Sequence, residues 1–183
     1  MSFAWPVPAS VVVRGVSVPR SISSYFGHRI NPVTGLDQNH GGLDVPVDVG
    51  TTVRAIGGGT VGLTEPNDPI AGGYVTIDHG NGYWSRYLHL SQIGVKTGER
   101  VSMGTPIGLS GGLPGAYGAG RVTGPHLHLE IWKGEPFRGG TPIDPLPYLT
   151  QEAGGILRSY WWVFALGTAA IGGAVYWRYY RGR

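Results

Sequence analysis

The sequence predicts a mainly β domain followed by one C-terminal helix that spans a membrane. Glycine and proline supply 33 and 14 of the 183 residues, without a collagen-like period or a low-complexity tract. Helix-forming residues are scarce over residues 1–150, which favours short strands joined by tight turns. Residues 160–177 then carry no charged side chain. At this length we expect one hydrophobic core rather than two.

The first segment, residues 1–20, shows little pattern. Three prolines, Pro6, Pro8 and Pro19, surround an apolar stretch at Val11–Val13. We expect an extended lead-in or an edge strand. No basic residue precedes an apolar core of adequate length, so the segment does not have the pattern of a secretory signal.

Residues 21–149 have the pattern of a β domain. Four short strands are predicted, with three glycines between the first two and an Asn-Gly turn between the last two: Thr52–Ile56, Thr60–Leu63, Tyr74–Asp78 and Tyr83–Leu90. Asn-Gly is the strongest short signal for a β-hairpin, so we expect the last two strands to pair. Three prolines close the domain at Pro142, Pro145 and Pro147.

The rest of the chain divides into a linker at 150–158, a membrane helix at 159–178 and a basic tail at 179–183. The uncharged stretch would span roughly 27 Å as a helix, close to the thickness of a bilayer core. Aromatic residues cluster at both of its ends, as in membrane spans. One arginine before it and three after it favour a cytoplasmic C-terminus. The alternative to a membrane helix is a buried C-terminal helix. Ala165, Ala169 and Gly173 would form one face of small residues, which is a weak signal for a homo-oligomer.

The basic charge of the chain belongs to this tail. Residues 1–155 hold all 11 acidic residues and 10 of the 14 Lys and Arg, which leaves the main body at −1. We therefore expect no nucleic-acid partner. The chain has no cysteine, which excludes disulfides and thiolate metal sites.

Histidines give the sharpest chemical signal. The run from His126 to Trp132 alternates polar and apolar residues, so His126, His128 and Glu130 share one face of a predicted strand. Alternate residues lie roughly 7 Å apart along a strand, which is wide for two ligands of one zinc ion. We expect one of the two histidines to bind a metal and the other to reach the reaction site.

Two further groups carry candidate residues. His40 and Asp44 are separated by Gly41-Gly42-Leu43, which argues against a helix and leaves a loop entering a strand. Alternation places Tyr87 and His89 on a polar face that we expect to line a cleft. His79 is expected to make hydrogen bonds at the hairpin turn.

Four motifs together resemble the lysostaphin-type zinc endopeptidases of peptidoglycan. They are His40-Gly-Gly-Leu-Asp44, Asp78-His-Gly-Asn-Gly82, Tyr87-Leu-His89-Leu90 and Thr123-Gly-Pro-His126-Leu-His128. Three other segments also resemble parts of that family: Phe26–Gly35, Val95–Gly108 and Pro142–Tyr148. The resemblance covers residues 21–149 and none of the tail.

The resemblance implies a mainly antiparallel β-sheet peptidase domain with a groove across the sheet. By motif position it implies that His40, Asp44 and His128 bind Zn²⁺ and that His89 and His126 are the catalytic histidines. The substrate would be the peptide cross-links of bacterial peptidoglycan.

Substrate contacts depend on a glycine-rich stretch at Gly111–Val122, which is longer than usual for the family and is expected to form one wall of the groove. We expect the groove to be lined by Tyr87, Tyr117 and Arg29. One alternative is a non-catalytic peptidoglycan-binding or regulatory module of the same fold. A carrier barrel is a poor second alternative, because no lysine lies at a hairpin tip.

The predicted helix places the protein at a membrane, with lipid as a second partner. An anchored hydrolase would act from a bacterial envelope. The other interpretation is a bacteriophage protein of a virion membrane or of lysis.

Overall fold

A computed structural model describes residues 1–31 and 34–151 of the chain. These residues form fifteen β-strands and a 3-10 helix at Leu146–Tyr148. Six strands form three separate pairs: β1 (Phe3–Ala4) with β15 (Leu149–Gln151), β2 (Ser10–Val13) with β3 (Val16–Pro19), and β4 (Gly27–Ile30) with β5 (Asp37–His40).

The remaining nine strands form one antiparallel sheet. They are β6 (Leu43–Val45), β7 (Thr52–Arg54), β8 (Gly59–Asp68), β9 (Gly72–Asp78), β10 (Tyr83–Ile93), β11 (Arg100–Val101), β12 (Pro106–Ser110), β13 (Leu127–Lys133) and β14 (Thr141–Ile143). The mainly β antiparallel fold predicted from the sequence is therefore confirmed.

Strand β10 is the centre of this sheet. It pairs with β9 along one edge and, in succession, with β13 and β12 along the other. The far edge of β13 pairs with the short strands β6 and β14. This order places β6, β13 and β10 side by side, and these three strands carry most of the candidate site.

The predicted hairpin joins β9 to β10. Asn81 lies between Gly80 and Gly82, and all three residues have positive φ angles of 53°, 76° and 73° respectively. Glycine and asparagine tolerate this left-handed conformation, so the turn reverses the chain without steric cost. The two strands pair in the expected antiparallel register, with Trp84 opposite Asp78.

The core lies on the apolar face of β13. Leu127, Leu129 and Ile131 are completely buried, as the alternation predicted. Burying a side chain of this size contributes roughly 1.5–3 kcal/mol. Because this face is fixed by the core, His128 and Glu130 are held on the opposite face.

Residues 1–20 form more structure than the predicted lead-in. Phe3, Val7 and Val11 belong to the main hydrophobic core, and the Ala4 N–H donates to the carbonyl oxygen of Ile56 at 2.8 Å. The prolines leave this segment too little pattern for a sequence-based assignment, and its apolar residues are buried by contacts distant in sequence. The segment is thus part of the β domain.

The predicted membrane helix at 159–178 and the basic tail at 179–183 lie outside the described residues. The predicted linker begins at residue 150, but β15 extends to Gln151. Within residues 1–31 and 34–151, no helix is long and apolar enough to cross a membrane.

Candidate active site

Three predicted metal ligands converge at one point. His40 ends β5, Asp44 lies in the middle of β6, and His128 lies directly opposite Asp44 on β13. The Asp44 Oδ1 atom is 2.7 Å from His128 Nδ1 and 3.2 Å from His40 Nε2. All three side chains are buried, and one ligand atom from each lies within 4.8 Å of the others.

Each of these side chains also contacts a second group, on the side away from the cluster. His40 Nδ1–H donates to the carbonyl oxygen of Tyr25 at 2.8 Å, which leaves Nε2 facing the cluster. The Arg29 guanidinium donates to Asp44 Oδ2 at 3.3 Å. His128 Nε2 is 3.1 Å from Glu130 Oε1, on the side of the ring away from Asp44.

The electrostatics of the cluster follow from these contacts. Burial alone would raise the pKa of Asp44, but hydrogen bonds from His128 and His40 outweigh it and hold the pKa well below its usual range. Burial alone would lower the pKa of His128, but its bonds to Asp44 and Glu130 raise it to about 9. The metal-free cluster therefore keeps a proton on His128, and a metal ion binds by displacing that proton.

The donor set fits zinc. Two imidazole nitrogens and one carboxylate oxygen are ordinary zinc ligands, and three protein ligands leave one coordination position open. The expectation from the sequence that only one histidine of the His126–His128 pair joins the metal ligands agrees with this grouping, since the described cluster contains His128 and omits His126.

His89 and His126 form a second pair beside the cluster. Their ring centroids are 4.8 Å apart, and His126 Nε2 is 3.7 Å from Asp44 Oδ1. His89 Nδ1–H donates to the Ala119 carbonyl oxygen at 2.9 Å, and His126 Nδ1–H donates to that of Gly124 at 2.8 Å. In both rings Nε2 is therefore the unprotonated nitrogen in the neutral form.

Both of these histidines are neutral at neutral pH. Burial is the main cause that lowers the pKa of His89 to about 3, and repulsion from the protonated forms of His126 and His128 acts in the same direction. Burial also lowers the pKa of His126, and the charge of Asp44 offsets this only in part. Each ring is thus able to accept a proton at its Nε2 atom.

The prediction that Tyr87 lines the groove is wrong. Tyr87 is completely buried in the core, and its hydroxyl oxygen accepts a hydrogen bond from the Ile56 N–H at 2.8 Å. The register of β10 against β9 shifts between Tyr87 and Leu90, and His89 has a positive φ of 60°. This β-bulge reverses the alternation, so Leu88 and His89 both face the cleft.

The metal ligands and the second histidine pair lie in one cleft of about 510 Å³. Arg29 lines it as predicted, and so do Arg121 and Val122 at the end of the glycine-rich stretch. Tyr117 is 67% exposed and does not line this cleft, so its predicted place in the groove is also wrong. The glycine-rich stretch turns the Tyr117 side chain to solvent.

Sequence reasoning missed three residues of the cleft. Regular alternation from Tyr87 places Arg86 on the face opposite the cleft, because it ignores the bulge that follows in β10. Its guanidinium packs against the rings of Tyr74 and Phe137, 4.5 and 4.7 Å from their centroids. Phe137 and Ile70 are both about 60% exposed and line the cleft. Neither residue belongs to a sequence motif. What distinguishes both in the structure is the exposure of a large apolar side chain.

The comparisons with known proteins agree with this geometry. The family model described as peptidase family M23 matches residues 38–145. The chain is 49% identical over 118 residues to the peptidoglycan DD-endopeptidase ShyA of Vibrio cholerae, covering 64% of this chain and 26% of that protein. The chain thus spans about a quarter of the length of this curated relative.

Solved structures show the same fold. A zinc-containing peptidase from Vibrio cholerae superimposes with a TM-score of 0.62 and 36% identity, covering 79% of this chain and 39% of that one. The antimicrobial peptidase lysostaphin from Staphylococcus simulans gives a TM-score of 0.57 and 29% identity, covering 70% of this chain and 48% of that one. Because the family model matches more than half of the sequence, this chain belongs to peptidase family M23.

Proposed function

We propose that this protein is a zinc-dependent endopeptidase that hydrolyses peptide cross-links of bacterial peptidoglycan. The observation that carries the proposal is the convergence of His40, Asp44 and His128 at the floor of a cleft that also contains two neutral histidines. A binding module has no need of a metal set with an open position beside two proton acceptors. The name of the ShyA relative favours the DD class of cross-link over a glycine–glycine bond.

Zinc in a site with three protein ligands supplies a water of lowered pKa, near about 7, and polarises a carbonyl group. We assign proton transfer to the Nε2 atoms of His126 and His89. These atoms carry no proton in the neutral form of either ring, and the two rings lie beside the metal ligands. One ring takes the proton of the attacking water, and the protonated pair then stabilises the developing oxyanion or gives a proton to the leaving amine.

The walls of the cleft fit an extended peptide. Ile70 and Phe137 offer exposed apolar surface, whereas Arg29 and Arg121 offer positive charge. We propose that the side chains of the substrate pack on the first pair and that a carboxylate of the cross-linked peptide lies near the second.

The activity is tested with the full chain in mild detergent, incubated with purified sacculi that contain either DD or glycine–glycine cross-links. We expect new amino termini, read by mass spectrometry, from the DD type only. They should disappear with a chelator and in His128→Ala. Tight zinc binding without cleavage of either wall would instead favour a non-catalytic binding or regulatory module.

We also propose that residues 159–178 anchor the protein in a membrane, since this stretch is uncharged apart from its last arginine and is flanked by aromatic residues. A bacterial envelope and a phage particle with a membrane both fit such an anchor. The full chain should stay in the membrane fraction after alkaline carbonate extraction, while a chain ending at Gln151 should be released. Release of both forms would contradict the anchor.

A further inference from the structure

Both ring nitrogens of His128 lie within hydrogen-bond distance of another side chain. Its Nδ1 atom faces the metal ligands, 2.7 Å from Asp44 Oδ1 and 3.0 Å from His40 Nε2. A histidine that ligates through Nδ1 must carry its proton on Nε2. That N–H is buried, so it needs an acceptor within the protein, and Glu130 Oε1 lies 3.1 Å away.

Glu130 is itself fixed in place. Its side chain is buried, and its Oε2 atom accepts hydrogen bonds from Trp132 Nε1 at 2.7 Å and from Arg86 at 3.4 Å. Arg86 lies directly across from Glu130 in the pairing of β10 with β13. A buried carboxylate held by two donors at one oxygen presents its other oxygen to His128 in a single direction.

The residue that holds Glu130 is constrained in turn. The Arg86 guanidinium packs against the rings of both Tyr74 and Phe137, so its position does not depend on the ion pair alone. Gly41 also packs closely on this group, because a Cβ atom at that position would lie 3.3 Å from Glu130 Oε1. Arg86, Trp132 and Gly41 together restrict where the carboxylate can go.

We propose that Glu130 is a positioning residue for the zinc site: it fixes the tautomer and the orientation of His128 so that Nδ1 points at the metal. The proposal rests on the proposed function for the identity of the metal, but it concerns affinity for the ion rather than catalysis. Glu130 lies outside the cluster of three metal ligands and contacts it through His128. An acceptor behind a ligating histidine is worth roughly 10–100-fold in metal affinity.

The test is the zinc dissociation constant of the full chain in detergent, measured by competition with a chromophoric chelator. We expect Glu130→Ala to weaken zinc binding by roughly 10–100-fold. Glu130→Gln keeps one oxygen that can accept from His128, but its NH2 group then faces the N–H donors of Trp132 and Arg86, so it should recover only part of this loss. Glu135→Ala is the matched control, because the Glu135 carboxylate pairs with the exposed Arg138, away from the metal ligands.

A merely structural role for Glu130 would not alter the ligand field. We therefore expect the visible spectrum of the Co²⁺-substituted protein to change in Glu130→Ala and to return in part in Glu130→Gln. Equal zinc affinity in wild type and in both Glu130 variants would overturn the proposal. If Glu130→Ala does not fold, loss of affinity in Arg86→Lys, which keeps the charge but loses the planar fork, supports it and unchanged affinity there overturns it.

These outcomes are separable from those of the proposed function. Zinc affinity that falls in the Glu130 variants, in a protein that cleaves no peptidoglycan, would contradict the proposed activity and leave the positioning role standing. Cleavage of sacculi with unchanged zinc affinity in the variants would contradict the positioning role alone.

Discussion

His89 reaches the cleft through a local change in its own backbone. Its φ of 60° lies in the left-handed region, which few residues other than glycine and asparagine adopt. The same residue donates Nδ1–H to the Ala119 carbonyl oxygen, so the conformation and the hydrogen bond together aim Nε2 into the cleft. Unusual backbone conformations of this kind cluster at functional sites.

Replacing either histidine of the second pair should separate chemistry from metal binding. We expect His126→Ala and His89→Ala each to lower kcat by roughly 10²–10⁴-fold, because a proton acceptor is lost while the three metal ligands remain. Zinc content, measured by atomic emission, should stay near one ion per chain in both. Loss of zinc from His126→Ala to the extent seen in His128→Ala would place His126 among the ligands instead.

The β-bulge in β10 marks the limit of what the sequence could predict about the direction of single side chains. The faces of His128, Leu127 and Leu129 were predicted correctly, because β13 keeps an unbroken period of two. Tyr87 was assigned to the wrong face, because one extra residue in β10 reverses that period and leaves no compositional mark. The convergence of residues on separate strands came from family resemblance, since spacing along the chain does not give distance in space.

His79 plays a structural part away from the cleft. Its backbone N–H donates to the Tyr83 carbonyl oxygen at 2.9 Å across the hairpin turn, as expected, and its ring contacts the Gly58 carbonyl oxygen and the Ser85 hydroxyl, each at 2.8 Å. Burial lowers its pKa in the folded protein, and its hydrogen bond to Gly58 and the charge of Asp78 offset this only in part. Below pH about 6.5, the unfolded chain therefore binds a proton at His79 that the folded chain excludes.

This predicts that His79 stabilises the fold fully above pH about 6.5 and progressively less as the pH falls toward its lowered folded value. The loss is about 1.4 kcal/mol for each unit by which the pKa is lowered. The free energy of unfolding should be measured in urea at pH 8 and pH 5, with chelator present throughout. His79→Gln should flatten the pH dependence. Equal dependence in His79→Gln and wild type would contradict the account.

At the scale of elements, the site depends on how closely β6 approaches β13. Gly42 precedes β6, and a Cβ atom there would lie 2.3 Å from the Leu129 carbonyl oxygen and 2.8 Å from His128 Nε2. Real Cβ atoms do not come this close to backbone, so the strands could not keep their spacing. The motif between His40 and Asp44 thus contains glycine because its backbone lies directly against β13.

Gly42→Ala should therefore push β6 away from β13 and separate Asp44 from His128. We expect a loss of roughly 1–3 kcal/mol in the free energy of unfolding, the usual cost of overpacking, together with weaker zinc binding. Gly94→Ala is the control, because its nearest neighbours would be 3.6 Å away. The two readouts are urea denaturation and chelator competition. Wild-type zinc affinity in Gly42→Ala would show that the close approach does not govern the site.

At the scale of the whole molecule, the two ends of the described chain meet. β1 pairs in parallel with β15, so the first residues lie beside the last strand before the predicted linker. Phe3 is 2% exposed and its ring contacts those of His79 and Tyr83, with centroids 4.8 and 6.3 Å away. The N-terminal segment therefore closes the core beneath the sheet that carries the cleft.

This arrangement predicts that the β domain is not independent of residues 1–20. We expect Phe3→Ala to lower the free energy of unfolding by about 3–5 kcal/mol, the usual cost of removing a buried aromatic ring. Val16→Ala, in the same segment but 60% exposed, should change it by less than about 0.5 kcal/mol. Equal effects of the two substitutions would show that residues 1–20 are a lead-in that does not stabilise the core. If the two substitutions differ as expected, a fragment that begins at residue 21 would lack the partner strand of β15, and its core would be open to solvent. Low activity in such a fragment would then reflect unfolding rather than a missing catalytic group.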